Sequence, residues 1–148
     1  MKIMVVGGGG REHAIIKSLK KSDKVEKIYA LPGNGGIALD AECYPIKATE
    51  LDKIVEFALE KKVDYAVVAP DDPLVLGLVD RLEEVGVPCF GPRKNAAILE
   101  GSKVFSKNLM KKYGIPTGAE NVHMHPYDLV VVALSMGRDT NPSARLIC

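Results

Sequence analysis

The chain has 148 residues, 47% of them apolar and 26% charged, with a formal net charge of +1, the composition of one well-buried globular domain. Near-neutral charge excludes bulk electrostatic binding to nucleic acid, and 5% aromatic residues with no tryptophan exclude a base-stacking surface. Cys43, Cys89 and Cys148 show no CxxC spacing, so they form neither a disulfide framework nor a metal site; with no signal-peptide pattern and no bilayer-length apolar run, the chain is expected in a reducing cytoplasm, away from membranes.

Residues 1–6 are an apolar run that reads as a buried strand, and the run breaks into glycines at 7–10. Glycine permits a tight turn at either sign of φ and lets a ligand approach the main chain. A helix over 11–21 follows, with Ala14, Ile15 and Leu19 on one side and lysines on the other. Its free N–H groups and positive dipole end favour a phosphorylated small molecule as ligand. Residues 25–30 form the next strand, and 31–36 form a loop of strong turn chemistry. An extended piece at 43–46 precedes a helix that Thr49 caps and that runs to 61, with Ile54, Val55, Ala58 and Leu59 as its apolar stripe. The strand at 64–69 ends in Pro70-Asp71-Asp72-Pro73 and leads into a helix over 73–85, with proline in its first turn and Gly86 past its end. A strand at 87–90, the Gly91-Pro92 turn and helices over 94–99 and 102–113 complete the pattern, closed by Gly114 and Pro116.

Strands alternating with helices predict an α/β fold, a Rossmann-like parallel sheet flanked by helices. Ligands of such sheets bind outside the carboxyl ends of the strands. The loops at 7–10, 32–36, 70–73 and 91–92 all leave that edge and form one candidate rim. A dinucleotide reading fits poorly: Glu12 replaces the last glycine of the fingerprint, and the second strand ends Tyr29-Ala30-Leu31-Pro32 without a carboxylate for a ribose. Arg11 is either a bidentate phosphate ligand or a solvated side chain; His13 reads as capping its own helix turn. Asn34 is an amide ligand or a turn residue. Asp71 and Asp72 can accept from sugar hydroxyls or an amine, or hold Mg²⁺, and Asp71 can equally cap the helix that follows. Lys103 reads as a surface lysine on a helix that also carries Lys107, Lys111 and Lys112.

The stretches Gly-Gly-Gly-Gly-Arg-Glu-His-Ala at 7–14, Pro-Gly-Asn-Gly-Gly at 32–36, Pro70 with Pro73-Leu74, Phe-Gly-Pro at 90–92, Leu-Glu-Gly-Ser-Lys-Val-Phe at 99–105 and Gly-Ile-Pro-Thr at 114–117 occur together in a specific order and spacing. Through them residues 1–118 resemble the N-terminal domain of the phosphoribosylamine–glycine ligases. The resemblance implies a Rossmann-like, pre-ATP-grasp domain of an ATP-grasp ligase of purine biosynthesis. In that family ATP phosphorylates the glycine carboxylate, the amine of 5-phosphoribosylamine attacks the acyl phosphate, and Mg²⁺ or Mn²⁺ is required. It implies substrate-binding roles around the phosphoribosyl group for Gly7, Gly9, Gly10, Arg11, Asn34 and Asp71, and a place near the ATP phosphates for Lys103. No catalytic residue and no metal ligand is assigned within the chain.

The family's usual Gly-Pro-Glu is Ala69-Pro70-Asp71 here, with a carboxylate one methylene shorter. Gly8 stands where the family commonly has Asn, a change the turn is expected to absorb without harm. Residues 119–148 lie outside the resemblance. There the apolar run 129–134 is expected to add a strand, and His123 and His125 read as surface histidines. The ATP-grasp glycine loop and metal ligands do not follow, so the chain is expected to be a truncated or frame-shifted product that is inactive alone, binds neither ATP nor metal tightly, and self-associates through exposed apolar surface. The alternative is a non-catalytic module for a nucleotide or sugar phosphate.

Overall fold

The computed structural model describes residues 1–117, and the chain divides into two compact units after Ala97. The expectations for His123, His125 and the strand at 129–134 lie outside the described residues.

The first unit is built on five strands: β1 (Lys2–Gly7), β2 (Lys27–Pro32), β3 (Glu42–Cys43), β4 (Tyr65–Val68) and β5 (Cys89–Phe90). They pair in the order β3-β2-β1-β4-β5, and every pairing is parallel. The central strand β1 runs in register with both neighbours, Val5 opposite Ala30 on one side and Val67 on the other. Side chains alternate between two buried clusters. Met4, Val6, Tyr29, Leu31, Ala66 and Val68 face one side; Ile3, Val5, Ile28, Ala30 and Val67 face the other. A strand covered on both faces is apolar at every position, as residues 3–6 are. Met4, Val5 and Val6 are fully buried, each worth roughly 1.5–3 kcal/mol relative to exposure.

Helix α1 (Gly10–Leu19) and a 3-10 turn (Ile37–Leu39) cover the second face through Ile16 and Ile37, both 0% exposed. Helix α2 (Leu51–Glu60) and the pair α3 (Asp71–Leu76) and α4 (Leu78–Glu84) cover the first face. Three sequence expectations change here. Helix α1 points Ile16 into the core with Ile15 and Leu19 beside it, while Ala14 is exposed. Helix α2 buries Ile54, Phe57 and Ala58 and leaves Leu59 52% exposed; Phe57 stacks edge-on against Tyr29 and Tyr44. Thr49 is not the cap of α2: Glu50 occupies that position, its carboxylate accepting from Lys47 N at 2.9 Å.

The helix expected at 73–85 is two. Gly77 sits at φ +93° and ends α3, and α4 restarts behind it. A left-handed residue cannot continue an α-helix, and glycine adopts that conformation without a Cβ penalty.

Beyond the boundary, α5 (Lys94–Gly101) ends and α6 (Lys103–Lys112) begins at Ser102, whose hydroxyl accepts from Phe105 N at 3.2 Å. The Ser106 hydroxyl donates to the Leu99 carbonyl and ties the two helices together. Among the described residues no helix is long and apolar enough to cross a membrane.

Candidate functional site

The strand order reverses its winding between β1 and β4: the chain steps outward to β2 and β3, then returns to lay β4 and β5 on the other side. The crevice at such a switch point, outside the carboxyl ends of the strands, is where open α/β sheets bind ligands. The loops that follow β1, β2, β4 and β5 meet there in series. Gly33 N donates to Gly7 O at 3.1 Å. A Cβ on Gly7 would lie 3.0 Å from Pro70 Cγ, and one on Gly91 would lie 3.1 Å from Val68 O and 2.9 Å from Leu74 Cδ2.

The glycines of the first loop serve different ends. Gly7 has φ +125°, and a side chain there would run into Glu12 Cγ at 2.6 Å. A Cβ on Gly9 would meet Glu12 Oε2 at 2.8 Å, and one on Gly10 meets nothing within 4 Å. Gly8 lies tight against the second loop: a Cβ there would lie 2.5 Å from the Gly33 carbonyl oxygen. In this chain an Asn at position 8 would push the loops after β1 and β2 apart, and glycine fits the space.

The first hydrogen bond of α1 runs from His13 N to Gly9 O at 3.1 Å. The N–H groups of Gly10, Arg11 and Glu12 precede it and make no hydrogen bond among the described residues. Orphan donors at a helix start, aligned with its positive dipole end, suit an anion.

Glu12 is the residue that sequence reasoning passed over. It is 4% exposed, its Oε2 accepting from Gly9 N at 2.6 Å and its Oε1 from Arg11 Nε at 3.0 Å. Glutamate at the third helical position is half of a capping box, and that spacing after Gly9 was the available signal. Arg11 keeps its side chain 57% exposed, and its two terminal amino groups make no hydrogen bond among the described residues.

Asn34 spends its amide on the scaffold: Nδ2 donates to Gly8 O at 2.7 Å and Oδ1 accepts from Ile37 N at 2.8 Å. His13 does not cap its own turn. Its Nε2 donates to Asp40 Oδ2 at 2.8 Å, and Lys20 reaches the other oxygen at 2.9 Å. Those hydrogen bonds, His13 first and Lys20 second, lower the Asp40 pKa to about 2. Asp71 does not cap α3 either: extended Pro70 does, and Asp71 and Asp72 form the first helical turn. Both aspartates are exposed, and neither side chain makes a hydrogen bond or ion pair among the described residues. Lys103 opens α6, half-buried, in the second unit. So Gly7, Gly9, Gly10, Arg11, Asn34 and Asp71 share one edge of the first unit, and Lys103 belongs to the other.

Among the described residues no three His, Cys, Asp or Glu side chains converge to hold a metal ion. Cys43 and Cys89 are free thiols, and burial pushes the Cys89 thiol up to about 12, so it stays protonated at neutral pH.

The family model of the phosphoribosylglycinamide synthetase N domain matches residues 1–100. The phosphoribosylamine–glycine ligase of Caldanaerobacter subterraneus subsp. tengcongensis is 57% identical over 118 residues, covering 80% of this chain and 28% of that protein. The enzyme of that name from Listeria innocua is 49% identical over 121 residues, covering 80% of this chain and 29% of that protein. The crystal structure of phosphoribosylamine–glycine ligase from Thermotoga maritima superposes with a TM-score of 0.59 at 31% identity, over 88% of this chain and 29% of that one. This chain thus spans less than a third of the length of these relatives.

Proposed function

We propose that this chain, which belongs to the phosphoribosylglycinamide synthetase N-domain family, holds the phosphoribosyl group of 5-phosphoribosylamine on its glycine rim, as the substrate-side part of a ligase that joins glycine to that amine. The observation that carries the reading is the set of unspent N–H groups on Gly10, Arg11 and Glu12 at the open end of the glycine loop. They sit at the start of α1, beside the β1/β4 switch point. A phosphate there gains charge-assisted hydrogen bonds and the helix dipole. Arg11 adds its free terminal amino groups. Asp71 and Asp72, in the exposed first turn of α3 and with no side-chain partner among the described residues, accept from ribose hydroxyls or from the amine.

Asn34 contributes by bracing Gly8 against the turn at Ile37, which keeps the loop in one shape before the ligand arrives. Preorganisation of that kind lowers the ordering cost of binding. In the ligase reading ATP supplies the phosphoryl group that activates the glycine carboxylate. The part read for this unit is to bind and orient the amine substrate.

Calorimetry with ribose 5-phosphate, AMP and NAD tests the reading. Ribose 5-phosphate is expected to bind, and NAD to bind more weakly than AMP. Tight NAD binding with no response to ribose 5-phosphate would sink it in favour of a dinucleotide module.

A further inference from the structure

The carboxylate buried beneath the glycine loop is an unusual neighbour for an anion site. Glu12 is 4% exposed, and it is the one buried acidic side chain among the described residues. A negative charge there repels a phosphate unless it does something that offsets the repulsion. Its two oxygens do separate things. Oε2 takes the Gly9 N–H at 2.6 Å, which removes that donor from the anion site and fixes the loop from below. Oε1 takes Arg11 Nε at 3.0 Å.

The second contact decides how Arg11 is presented. A guanidinium offers an edge made by Nε and one terminal nitrogen, and an end made by both terminal nitrogens. Glu12 occupies the Nε–H, so the end with both terminal amino groups is left for the ligand. A side chain otherwise 57% exposed is thereby anchored at its inner nitrogen. Gly7 and Gly9 belong to the same device: a Cβ on either would strike Glu12 at 2.6 or 2.8 Å, so their lack of a side chain makes room for the carboxylate.

We infer that Glu12 is a positioning residue: it anchors Arg11 through Nε so that both terminal amino groups meet the ligand's phosphate end-on, while Gly9 N–H is withheld and Gly10, Arg11 and Glu12 N–H remain. The ligand part of this inference rests on the phosphoribosyl reading above; the anchoring part does not.

The test has a ligand-free arm and a ligand arm. In ¹⁵N-labelled wild-type chain, the Arg11 Nε–H is expected to exchange with water more slowly than that of Arg93, whose partner Glu83 is 33% exposed where the Glu12 side chain is 5% exposed. Glu12→Gln keeps an acceptor for Gly9 N–H but sets an amide donor against Arg11 Nε. It should speed Arg11 Nε–H exchange and weaken ribose 5-phosphate and inorganic phosphate binding by about tenfold. In an Arg11→Lys background the same substitution should weaken phosphate binding far less, because the coupling runs through the guanidinium. An equal loss in both backgrounds means a merely structural role and overturns the inference. Equal exchange rates at Arg11 and Arg93 overturn it without any variant, even where Glu12→Gln fails to fold. Slow Arg11 exchange with no wild-type binding of ribose 5-phosphate supports the anchor and overturns the phosphoribosyl reading alone.

Discussion

The two halves of the rim are held by different forces. On the β1 and β2 side, hydrogen bonds from side chains lock the loops: Asn34 to Gly8, Glu12 to Gly9, and His13 to Asp40. On the β4 and β5 side close apolar packing dominates at the rim itself, Gly91 lying against Leu74 and Val79 and Gly7 against Pro70, with side-chain hydrogen bonds only further along, at Arg93 and Lys94. The first half spends its side-chain polar atoms on the scaffold and leaves backbone N–H donors and the end of Arg11. The second half spends Arg93, Glu83 and Asp80 at the outer end of the β5 loop and leaves the carboxylates of Asp71 and Asp72. One side thus offers donors and positive charge, the other acceptors and negative charge. That polarity complements a ligand with a phosphate at one end and hydroxyls or an amine at the other.

The largest expected effect tests how tightly the first half is built. Gly7→Ala should cost about 3 kcal/mol, because it puts a Cβ at φ +125° against a buried carboxylate. Gly10→Ala, where a Cβ meets nothing within 4 Å, should stay within about 0.5 kcal/mol. Equal urea midpoints for the two variants would break the contrast. Next comes Asn34→Ala, which removes both ties to Gly8 O and Ile37 N and should cost roughly 1–2 kcal/mol, given its exposure. The same denaturation curves read it, and ribose 5-phosphate affinity should fall with it as the loop loosens.

The second half should answer the other way round. Asp71→Asn should leave stability within about 0.5 kcal/mol, since its side chain has no partner among the described residues. Its effect belongs in calorimetry, as a loss of ribose 5-phosphate affinity of about tenfold. Lost stability with unchanged affinity would show Asp71 to be scaffold. The smallest effect is a pH dependence confined to the first half. The Asp40 pKa is lowered from 3.8 to about 2 in the folded chain. Its contribution is therefore present above about pH 4 and lost as pH falls through the folded value. Melting temperatures of the wild type should drop more steeply toward about pH 2 than those of Asp40→Asn; parallel curves would remove Asp40 from the bracing.

Much of this was legible before any coordinates. The run at 1–6, apolar but for Lys2, reads as a strand buried on both faces, and the glycine, proline and asparagine clusters marked where each strand ends. Helix phase was harder. Ala14 and Ile16 both fit a stripe with neighbours on α1, as Leu59 and Phe57 do on α2; which faces inward depends on how the helix lies against the sheet, and Phe57 wins by meeting Tyr29 and Tyr44. The break at Gly77 was hidden because glycine is tolerated within a helix at a modest cost. The partner of His13 was hidden because Asp40 lies on a separate loop whose approach only the parallel β1–β2 pairing sets.

The sequence by itself determined the α/β alternation, the parallel sheet, the loops that share its carboxyl edge and the family, because periodicity and turn chemistry are local and motif spacing is read along the chain. Only the tertiary structure decided which rim groups are already spent. Asn34 can be a ligand in a string of letters, and Glu12 is only a break in a glycine pattern; in the fold their polar atoms belong to Gly8, Gly9, Arg11 and Ile37. A hydrogen-bonding atom is available to a ligand only when no neighbour has claimed it, and the neighbours are set by how the strands are brought side by side.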